Sequence, residues 1–392
     1  MYSILDTDLY KFSTSYAYMK MFPDAECTFT FVDRNKIKRS EEFLKFYKLA
    51  LKGLGTLRLT DEEYAWCVKK IPYIPQYYWE WLKSFRFDAD KINVYLDAES
   101  VLHVDVTDKC YKCSLYEIPC LYLVTEVSNY LNREHGQLVD IKDVINILAK
   151  KIEFANIRNI KFSEFGTRRR YNYEVQDKVI EYIKEHSTTC VGTSNVHFAM
   201  KYNMVPCGTH PHEWFMFHAS QFGYKNANYL ALENWVNVYD GALGTALTDT
   251  FTSNVFFRNF SLKQAKLFDG IRQDSGDEYE FVGKALAFYR SKKIDPTTKT
   301  IIFSNALDFK KAEEINEFCK GKIRAAFGIG TNLTNDTGYP AENIVMKMTQ
   351  ARMNANQPWY ECIKISDDLG KHLGSKEEVE HAIYELGILW NY

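Results

Sequence analysis

From about residue 151 onward, the sequence repeats one arrangement: a short apolar segment, a polar or glycine-containing turn, and an amphipathic stretch. This repeat is typical of parallel β-strands that alternate with α-helices. The predicted strands lie at residues 161–165, 189–192, 205–208, 244–248, 269–273, 300–304, 324–328 and 344–348. Eight parallel strands indicate an α/β barrel. We therefore expect residues 151–349 to form the barrel domain.

The first part of the chain follows a different pattern. A helix can begin after Asp6, because Leu9, Phe12 and Tyr16 then share one face. Residues 27–31 alternate aromatic side chains with threonines, which suits a half-buried antiparallel strand. Further short helices and strands are predicted at residues 61–70, 76–83, 92–96 and 101–106. We therefore expect an N-terminal α+β lobe of residues 1–150, with residues 350–392 packing back on it.

The composition excludes several classes of protein. Apolar residues make up 46% of the 392 residues and charged residues 26%, so disordered and membrane proteins are excluded. The formal charge of −2 gives no field that would attract nucleic acid or a membrane surface, and no nucleic-acid recognition motif is present. An anionic ligand must therefore be held by local groups.

Cysteine content and the N-terminal residues indicate a cytoplasmic protein. The N-terminus has no signal-peptide pattern, and nine cysteines, an odd number, fit free thiols in a reducing compartment. Cys110 and Cys113 form a CxxC with Cys120 nearby, but a structural zinc site needs a second closely spaced pair. Buried or surface thiols are the simpler interpretation.

Polar residues follow nearly every predicted strand of the second half. In an α/β barrel the carboxyl ends of the strands converge on one mouth, where barrel enzymes hold their active sites. The polar segments are Gly166 to Arg168, Thr193 to Asn195, Thr209 to Glu213, Asp249-Thr250, Asp274 to Asp277, Asn305, and Ile329 to Asn332. We therefore predict one functional site at the barrel mouth.

Residues 327–332, with the sequence FGIGTN, leave the seventh predicted strand with two glycines. Backbone N–H groups in such a segment can close around a phosphate, and barrel enzymes often bind phosphate after strands 7 and 8. A tight turn in which glycine supplies a positive φ is the alternative. The position in the predicted barrel favours phosphate.

Arg272 and Asp274 lie two residues apart on a predicted strand, so their side chains point to the same side. Arg272 can bind a phosphate, whereas Asp274 can accept a hydrogen bond from a sugar diol or hold a divalent ion. A purely structural ion pair is the alternative. The position at a strand end favours ligand binding.

Three arginines, Arg168, Arg169 and Arg170, begin a predicted helix, where the helix dipole would favour acids. A bound anion would explain them, with Phe165 as an aromatic platform beside it. For Arg169 and Arg170, a solvated helix start is the alternative.

His210 and His212 lie two residues apart, and Glu213 follows them. A His-x-His pair can ligate a catalytic metal, as in metal-dependent barrel hydrolases, whereas a single histidine oriented by an acid can act as nucleophile or base. The metal interpretation needs further ligands, and no histidine occurs between His218 and His372. The nucleophile is favoured, and the hydrolase is the alternative function.

Seven sequence strings, taken together, resemble the nicotinate phosphoribosyltransferase family. Each is weak alone, but their order and spacing are specific, and the resemblance runs from about residue 4 to about residue 367. The strings are Thr7-Asp8-Leu9-Tyr10-Lys11, Phe31-Val32-Asp33-Arg34-Asn35, Glu164 to Arg168, Gly192 to Asn195, Gly208-Thr209 with His212 to Phe215, Asp274 to Asp277, and Phe327 to Thr331.

The resemblance implies a type II phosphoribosyltransferase, with an N-terminal α+β lobe on an incomplete α/β barrel. It implies a homodimer with composite active sites. The implied reaction joins nicotinate to 5-phosphoribosyl 1-pyrophosphate (PRPP), releases nicotinate mononucleotide and pyrophosphate, and is coupled to ATP hydrolysis. Mg²⁺ is the implied cofactor, bound through substrate phosphates, and its protein ligands are not identified.

The resemblance also implies roles for single residues. His212 is the histidine that ATP phosphorylates, and Tyr10 reaches the partner subunit's site to stack on the pyridine, with Phe165 on the other face. The implied ribose and pyrophosphate contacts are Asp249, Arg272 and Asp274, of which the two aspartates are grouped with His212 as catalytic. The implied 5′-phosphate contacts are Gly328, Gly330 and Thr331. The remaining implied substrate contacts are Arg168, Ser194, Ser275 and Asn305.

One position separates nicotinate from nicotinamide as the substrate. The related nicotinamide enzymes carry an acid where this sequence has Ser194, and an acid suits the N–H₂ group of an amide. A carboxylate substrate would be repelled by an acid and accepted by a hydroxyl. The resemblance therefore predicts a preference for nicotinate.

Overall fold

The computed structural model describes residues 3–134, 136, 139–208, 210–368 and 372–388. Thr209, part of one string above, lies outside the described residues. The helices are α1 (Leu9–Met21), α2 (Glu41–Leu54), α3 (Asp61–Lys70), α4 (Gln76–Ser84), α5 (Cys110–Cys113), α6 (Glu117–Glu134), α7 (Ile141–Ile157), α8 (Tyr173–His186), α9 (Val196–Lys201), α10 (His212–Phe222), α11 (Tyr224–Tyr239), α12 (Ser253–Asn259), α13 (Leu262–Leu267), α14 (Glu278–Ser291), α15 (Phe309–Cys319), α16 (Thr331–Thr334) and α17 (Lys376–Leu386). The strands are β1 (Glu26–Asp33), β2 (Ile92–Leu96), β3 (Leu102–Lys109), β4 (Phe162–Glu164), β5 (Cys190–Thr193), β6 (Thr245–Leu247), β7 (Gly270–Gln273), β8 (Thr300–Phe303), β9 (Arg324–Ile329), β10 (Ile344–Arg352) and β11 (Tyr360–Glu361).

Strands of the second half form a parallel sheet in the order β5-β4-β9-β8-β7-β6. These strands coincide with predicted segments, and helices follow them in the chain, as repeated strand–helix units require. The prediction for residues 205–208 is only partly met, because Pro206 forms an isolated parallel bridge to Thr193. Proline has no N–H to donate, so this segment cannot pair continuously.

The predicted eighth parallel strand is wrong. Residues 344–352 form β10, which belongs to a second, antiparallel sheet with the order β11-β10-β1-β3-β2. It pairs with β1 along the whole strand, from Glu26 opposite Arg352 to Asp33 opposite Ile344. A short apolar segment does not reveal its pairing partner. The sheet of the N-terminal lobe therefore contains an inner strand from far along the chain.

Helix α1 is buried around most of its circumference rather than on one face. Its buried residues include Lys11, Ser13 and Thr14 as well as Leu9 and Phe12. The expectation of one apolar face is too simple, because α1 contacts both α5 and α11. Buried polar side chains need partners, and Lys11 finds them in two glutamates beside the cavity described below.

Residues 362–368, here termed the C-terminal strap, cross the loops that follow β6 and β7. The N–H of Ile365 donates to the carbonyl of Thr250 at 2.9 Å, and the N–H of Asp367 donates to the Ser275 hydroxyl at 3.1 Å. The strap therefore returns the end of the chain to the carboxyl ends of the parallel strands.

Helix α17 follows the strap and packs on helices of the second half. Tyr224 at the start of α11 donates to Glu378, and Arg258 of α12 donates to the Leu386 carbonyl at 2.7 Å. This differs from the expectation that residues 350–392 pack on the N-terminal lobe, whereas β11 does extend the lobe's sheet beside β10. Among the helices that the structure describes, none is long and apolar enough to cross a membrane.

Candidate active site

A cavity of about 720 Å³ lies at the carboxyl ends of the parallel strands. Phe29 of β1 and Met348 of β10 also line it, so the antiparallel sheet forms part of the wall. The predicted site residues on the wall are Tyr10, Phe165, Arg168, Ser194, His212, Arg272, Asp274, Gly328, Gly330 and Thr331. Most of the residues predicted from the strand ends thus surround one cavity between two sheets.

Two glycines at the end of β9 allow Phe165 to lie against the strand. A Cβ added to Gly328 would come within 2.4 Å of the Phe165 ring, and one added to Gly330 would lie 3.0 Å from the Phe165 carbonyl oxygen. Neither glycine has a positive φ, so the tight-turn alternative is wrong. Glycine is needed here because Phe165 approaches so closely.

Tyr10 lines the same cavity as Phe165 within a single chain. Burial, with Glu117 and Asp8 nearby, raises the pKa of the Tyr10 phenol well above its ordinary value. The ring is therefore neutral. A partner subunit is not needed to bring Tyr10 and Phe165 to one cavity, so the role of Tyr10 across a dimer interface stays a prediction.

Three cations line the cavity without an acid to pair with. Arg168, Arg169 and Lys347 make no ion pair and donate no side-chain hydrogen bond within the described ranges. Burial, together with Arg168 and Arg34, lowers the pKa of Arg169 to about 10, and burial lowers that of Lys347 to about 8. Glu117 acts electrostatically on Arg168 and Lys347, and Asp274 acts on Arg169, but no acid of the described ranges pairs directly with these cations. They are therefore available to a bound anion.

Arg170 does not face the cavity. Its guanidinium donates to the two Asp6 oxygens at 2.7 and 2.9 Å, and its Nε donates to Glu126 at 2.7 Å. Burial would raise the pKa of Asp6, but Arg170 outweighs burial and lowers it. For Arg170, both the anion-binding and the solvated interpretations are therefore wrong, because it forms a buried structural ion pair.

His212 begins α10, and two groups contact its Nε2. Asp249 Oδ1 and the ammonium of Lys364 each lie 2.8 Å from this nitrogen. Lys364 also donates to Asp249 Oδ2 at 3.0 Å. Burial and the charge of Lys364 lower the pKa of His212 to about 4, although Asp249 opposes them. The imidazole is therefore neutral at physiological pH.

Asp249 lies behind His212 rather than on the cavity wall, and it is fully buried. The Ser275 hydroxyl donates to Asp249 Oδ2 at 2.6 Å. Burial would raise the pKa of Asp249, but Lys364 and His212 lower it well below its ordinary value. Neither Asp249 nor Ser275 lines the cavity: Asp249 contacts His212, and Ser275 donates to Asp249, so substrate contact by these two residues stays a prediction.

Arg272 and Asp274 form an ion pair on the cavity wall. Arg272 donates to Asp274 Oδ1 at 2.8 Å, and both side chains bond to the Ser304 hydroxyl. Burial would raise the pKa of Asp274, but Arg272 lowers it to about 2. The structural and ligand-binding interpretations of this pair are compatible.

Asn305, a predicted substrate contact, does not line the cavity wall. Its neighbour Ser304 does line the wall.

His210 lies away from the cavity, among the rings of Phe215, Trp235 and Phe268. Neither ring nitrogen has a hydrogen-bond partner in the described part of the chain, and burial lowers the pKa of His210 to about 3. The proposed metal pair of His210 and His212 is therefore wrong.

A different cluster beside the cavity could attract a cation. Ligand atoms of His212, Asp249 and Asp274 lie within 4.8 Å of one another. The ammonium of Lys364 already contacts His212 and Asp249, so the cluster carries its own positive charge.

The sequence suggests that Glu213 orients an imidazole, but in the structure Glu213 contacts neither His210 nor His212 through its carboxylate. Its carboxylate accepts hydrogen bonds from Lys11 and from the Ser114 hydroxyl, each at 2.5 Å. Lys11 also pairs with Glu117, and all of these side chains are buried. This cluster joins α1, which carries Tyr10, to α10, which begins at His212.

Sequence reasoning missed Lys347, Lys364 and Ser304 as part of the site. Lys347 interrupts an apolar strand, and a single lysine in such a strand is a signal that could have identified it. Ser304 ends a predicted strand next to the chosen Asn305. Lys364 carries no local signal, because its position depends on the path of the strap.

Comparisons with known proteins reveal relatives over nearly the whole chain. The sequence profile of the nicotinate phosphoribosyltransferase (NAPRTase) family matches residues 160–384, and the profile of the N-terminal domain of that family matches residues 5–125. The nicotinate phosphoribosyltransferase of Chromohalobacter salexigens is 42% identical over 384 residues, which is 97% of each chain. That of Methanosarcina mazei is 37% identical over 400 residues, which is 98% of each chain. The crystal structure of nicotinate phosphoribosyltransferase from Porphyromonas gingivalis is similar with a TM-score of 0.96 and 44% identity, covering 99% of this chain and 100% of that one.

Proposed function

The chain belongs to the nicotinate phosphoribosyltransferase family, and we propose that it joins nicotinate to PRPP in NAD biosynthesis, coupled to ATP hydrolysis. The products are nicotinate mononucleotide, pyrophosphate, ADP and phosphate. The observation that carries the proposal is the set of unpaired cations, Arg168, Arg169 and Lys347, on a cavity that also holds two aromatic rings and a neutral histidine. Such a cavity fits a flat anionic ring and polyphosphates.

Nicotinate needs aromatic contact for its ring and a cation for its carboxylate. Tyr10 and Phe165 supply aromatic faces on the cavity wall. The planar guanidinium of Arg168 can donate to both oxygens of a carboxylate. Nicotinate is therefore expected to bind with its ring against the aromatic pair and its carboxylate at Arg168.

PRPP carries a 5′-phosphate and a pyrophosphate, both of which need positive or N–H donor groups. We assign the 5′-phosphate to Gly328, Gly330 and Thr331, where backbone N–H groups precede α16. Arg272, with Arg169 and Lys347 on the same cavity, supplies charge for the departing pyrophosphate. An oxocarbenium-like transition state at C1′ mainly needs positioning and such charge neutralisation.

His212 is the residue proposed to accept the γ-phosphoryl group of ATP. Because its pKa is lowered to about 4, its ring is neutral and able to act as a nucleophile. His212 lies on the cavity wall, whereas His210 is enclosed by aromatic rings. Phosphohistidine would couple ATP hydrolysis to product formation by favouring the substrate-loaded conformation.

Mg²⁺ is proposed to bind mainly through the phosphates of PRPP and ATP, whose charge it would neutralise. Mg²⁺ prefers oxygen ligands, and Asp274 offers a carboxylate on the cavity wall. Both oxygens of Asp249 are already engaged, by His212, Ser275 and Lys364. Of these two aspartates, Asp274 offers the ion its second oxygen, because only its Oδ1 accepts hydrogen bonds, from Arg272 and Ser304.

An incomplete α/β barrel is the fold that we propose for the parallel sheet. Each parallel strand contributes to the wall of the same cavity, through Ser163, Val191, Thr245, Arg272, Ile302 and Phe327. A sheet that curves around one cavity meets this condition.

We also propose a homodimer with composite sites, on the basis of family membership. We propose a cytoplasmic location, since all nine cysteines are unpaired.

A pyrophosphate-release assay tests the proposed function. The purified protein with nicotinate, PRPP and Mg²⁺ is expected to release pyrophosphate and to do so faster when ATP is added. Nicotinamide replaces nicotinate as the control, and its kcat/KM is expected to be lower by about 100-fold or more. Equal turnover of the two substrates, or no pyrophosphate with nicotinate, contradicts the proposal.

A further inference from the structure

The C-terminal strap places one ammonium group between two residues of the proposed phosphorylation site. Lys364 Nζ lies 2.8 Å from His212 Nε2 and 3.0 Å from Asp249 Oδ2, and its side chain is 12% exposed. Lys364 belongs to no sequence string on which the family resemblance rests.

The two partners of His212 Nε2 make opposite demands on this nitrogen. Asp249 only accepts hydrogen bonds, so its contact with Nε2 requires a proton on the ring nitrogen. Lys364 only donates, so its contact requires the Nε2 lone pair. One nitrogen cannot satisfy both at once. Lys364 and Asp249 therefore compete for Nε2, and the ion pair between them holds both groups beside this nitrogen.

Lys364 also balances the charges around His212. The carboxylates of Asp249 and Asp274 lie 2.8 and 3.8 Å from Nε2, and Arg272 pairs with Asp274. Lys364 is the cation that pairs with Asp249. Without it, an incoming phosphate would meet an uncompensated carboxylate beside the ring, which repels an anion.

The strap is built to hold Lys364 in place. The N–H and the carbonyl of Lys364 both bond to Leu373, at 3.1 and 2.8 Å. Ile363 and Ile365, on either side of Lys364, are buried. Ser366 has a φ of 73°, a conformation that costs free energy and persists only where the surrounding structure fixes it. The side chain of Lys364 therefore extends from an anchored backbone.

We propose that Lys364 is a positioning residue for phosphorylation of His212: its ammonium neutralises Asp249 beside the ring and attracts the γ-phosphate of ATP toward Nε2. The inference rests on the proposed function. In the step, the Lys364 ammonium moves its hydrogen bond from Nε2 to an oxygen of the γ-phosphate, and the freed Nε2 lone pair forms the bond to the γ-phosphorus. The P–O bond to the β-phosphate breaks, and its electron pair leaves on ADP.

Three variants test this role by labelling with ATP that carries ³²P in the γ-phosphate. Lys364→Met removes the charge, Lys364→Arg keeps it, and Lys376→Met replaces an exposed lysine of α17 as the matched control. Lys364→Met is expected to form acid-labile phosphoenzyme about 100-fold more slowly. Its labelling rate should fall by a much larger factor than its transfer rate without ATP. Lys364→Arg should recover part of the labelling rate, and Lys376→Met should match the wild type.

The outcomes separate this inference from the proposed function. Wild-type labelling of Lys364→Met overturns the inference and leaves the function intact. Equal loss of labelling and of transfer without ATP, with a lower Tm, indicates a merely structural role and also overturns it. No label on the wild type overturns both the ATP step and the inference.

Discussion

The Ser194 hydroxyl donates a hydrogen bond to the carboxylate of Asp8 at 2.7 Å, and both side chains line the cavity. Asp8 precedes α1 and Ser194 follows β5, so this bond joins the first helix to the parallel sheet. Because its proton is used, the Ser194 hydroxyl offers a bound ligand only lone pairs. It cannot donate to the nicotinate carboxylate while this bond persists, and Arg168 is the cation available for that purpose.

Arg168→Met is therefore expected to raise the KM for nicotinate by about 10- to 100-fold, the value of a lost charge-assisted hydrogen bond. Arg169→Met is the matched control, because it removes a neighbouring unpaired cation. It should raise the KM for PRPP or ATP more than that for nicotinate. Steady-state kinetics with each substrate varied in turn measures both effects. An unchanged nicotinate KM in Arg168→Met refutes this assignment.

Tyr10→Ala is expected to raise the KM for nicotinate about fivefold or more, because a stacking partner worth about 1 kcal/mol is lost. Tyr10→Phe keeps the ring and should retain wild-type affinity. Thermal denaturation of both variants checks that the fold is unaffected. If Tyr10→Ala and Tyr10→Phe raise KM equally, the hydroxyl rather than the ring is responsible, and stacking is the wrong explanation. Sedimentation of the same proteins reports whether the active form is a dimer.

His212→Asn is expected to abolish ATP hydrolysis and phosphoenzyme formation while slow phosphoribosyl transfer without ATP remains, because the oxocarbenium site uses other residues. His210→Phe is the control, since His210 is surrounded by aromatic rings and a further ring suits that environment. It should keep phosphoenzyme formation. If label is retained in His212→Asn, or is lost only in His210→Phe, His212 is not the phosphorylated histidine.

The free energy of unfolding should decrease as the pH is lowered, because of His218. Its Nδ1 donates to the Trp214 carbonyl at 2.7 Å and its Nε2 accepts from Asn234 at 2.9 Å. Burial lowers the pKa of His218 to about 4, whereas an unfolded histidine has a pKa of about 6.5. Between these values the unfolded chain binds a proton that the folded chain does not. The free energy of unfolding should therefore fall by about 1.4 kcal/mol per pH unit for this residue as the pH decreases.

Urea denaturation at pH 7, 6 and 5 measures this dependence. His218→Gln should be less stable at pH 7 but should lose stability less steeply below pH 6.5. His186→Gln, at an exposed histidine, should keep the wild-type slope. An equal slope in His218→Gln and the wild type would show that other groups control the acid sensitivity.

The parallel strands could be predicted because the apolar run and the polar end of each strand lie within a few residues of sequence. The partner of β10 could not, because Ile344 pairs with Asp33 and nothing local to either strand encodes the other. The same limit applies to the site. Arg168 and Arg170 are the same residue type in one short turn, yet one faces the cavity and the other is buried against Asp6. Only the three-dimensional path of the backbone separates them.

The pairing of β10 with β1 has a consequence for synthesis of the protein on the ribosome. Strand β1 ends at residue 33, and its neighbour β10 begins only at residue 344. At 5–20 residues per second, translation leaves that edge of β1 unpaired for roughly 15–60 s. An unpaired strand edge is a template for association with other chains. The N-terminal lobe therefore cannot complete its sheet until nearly the whole protein has been made, and premature termination before residue 344 yields a chain with an exposed edge and a tendency to aggregate.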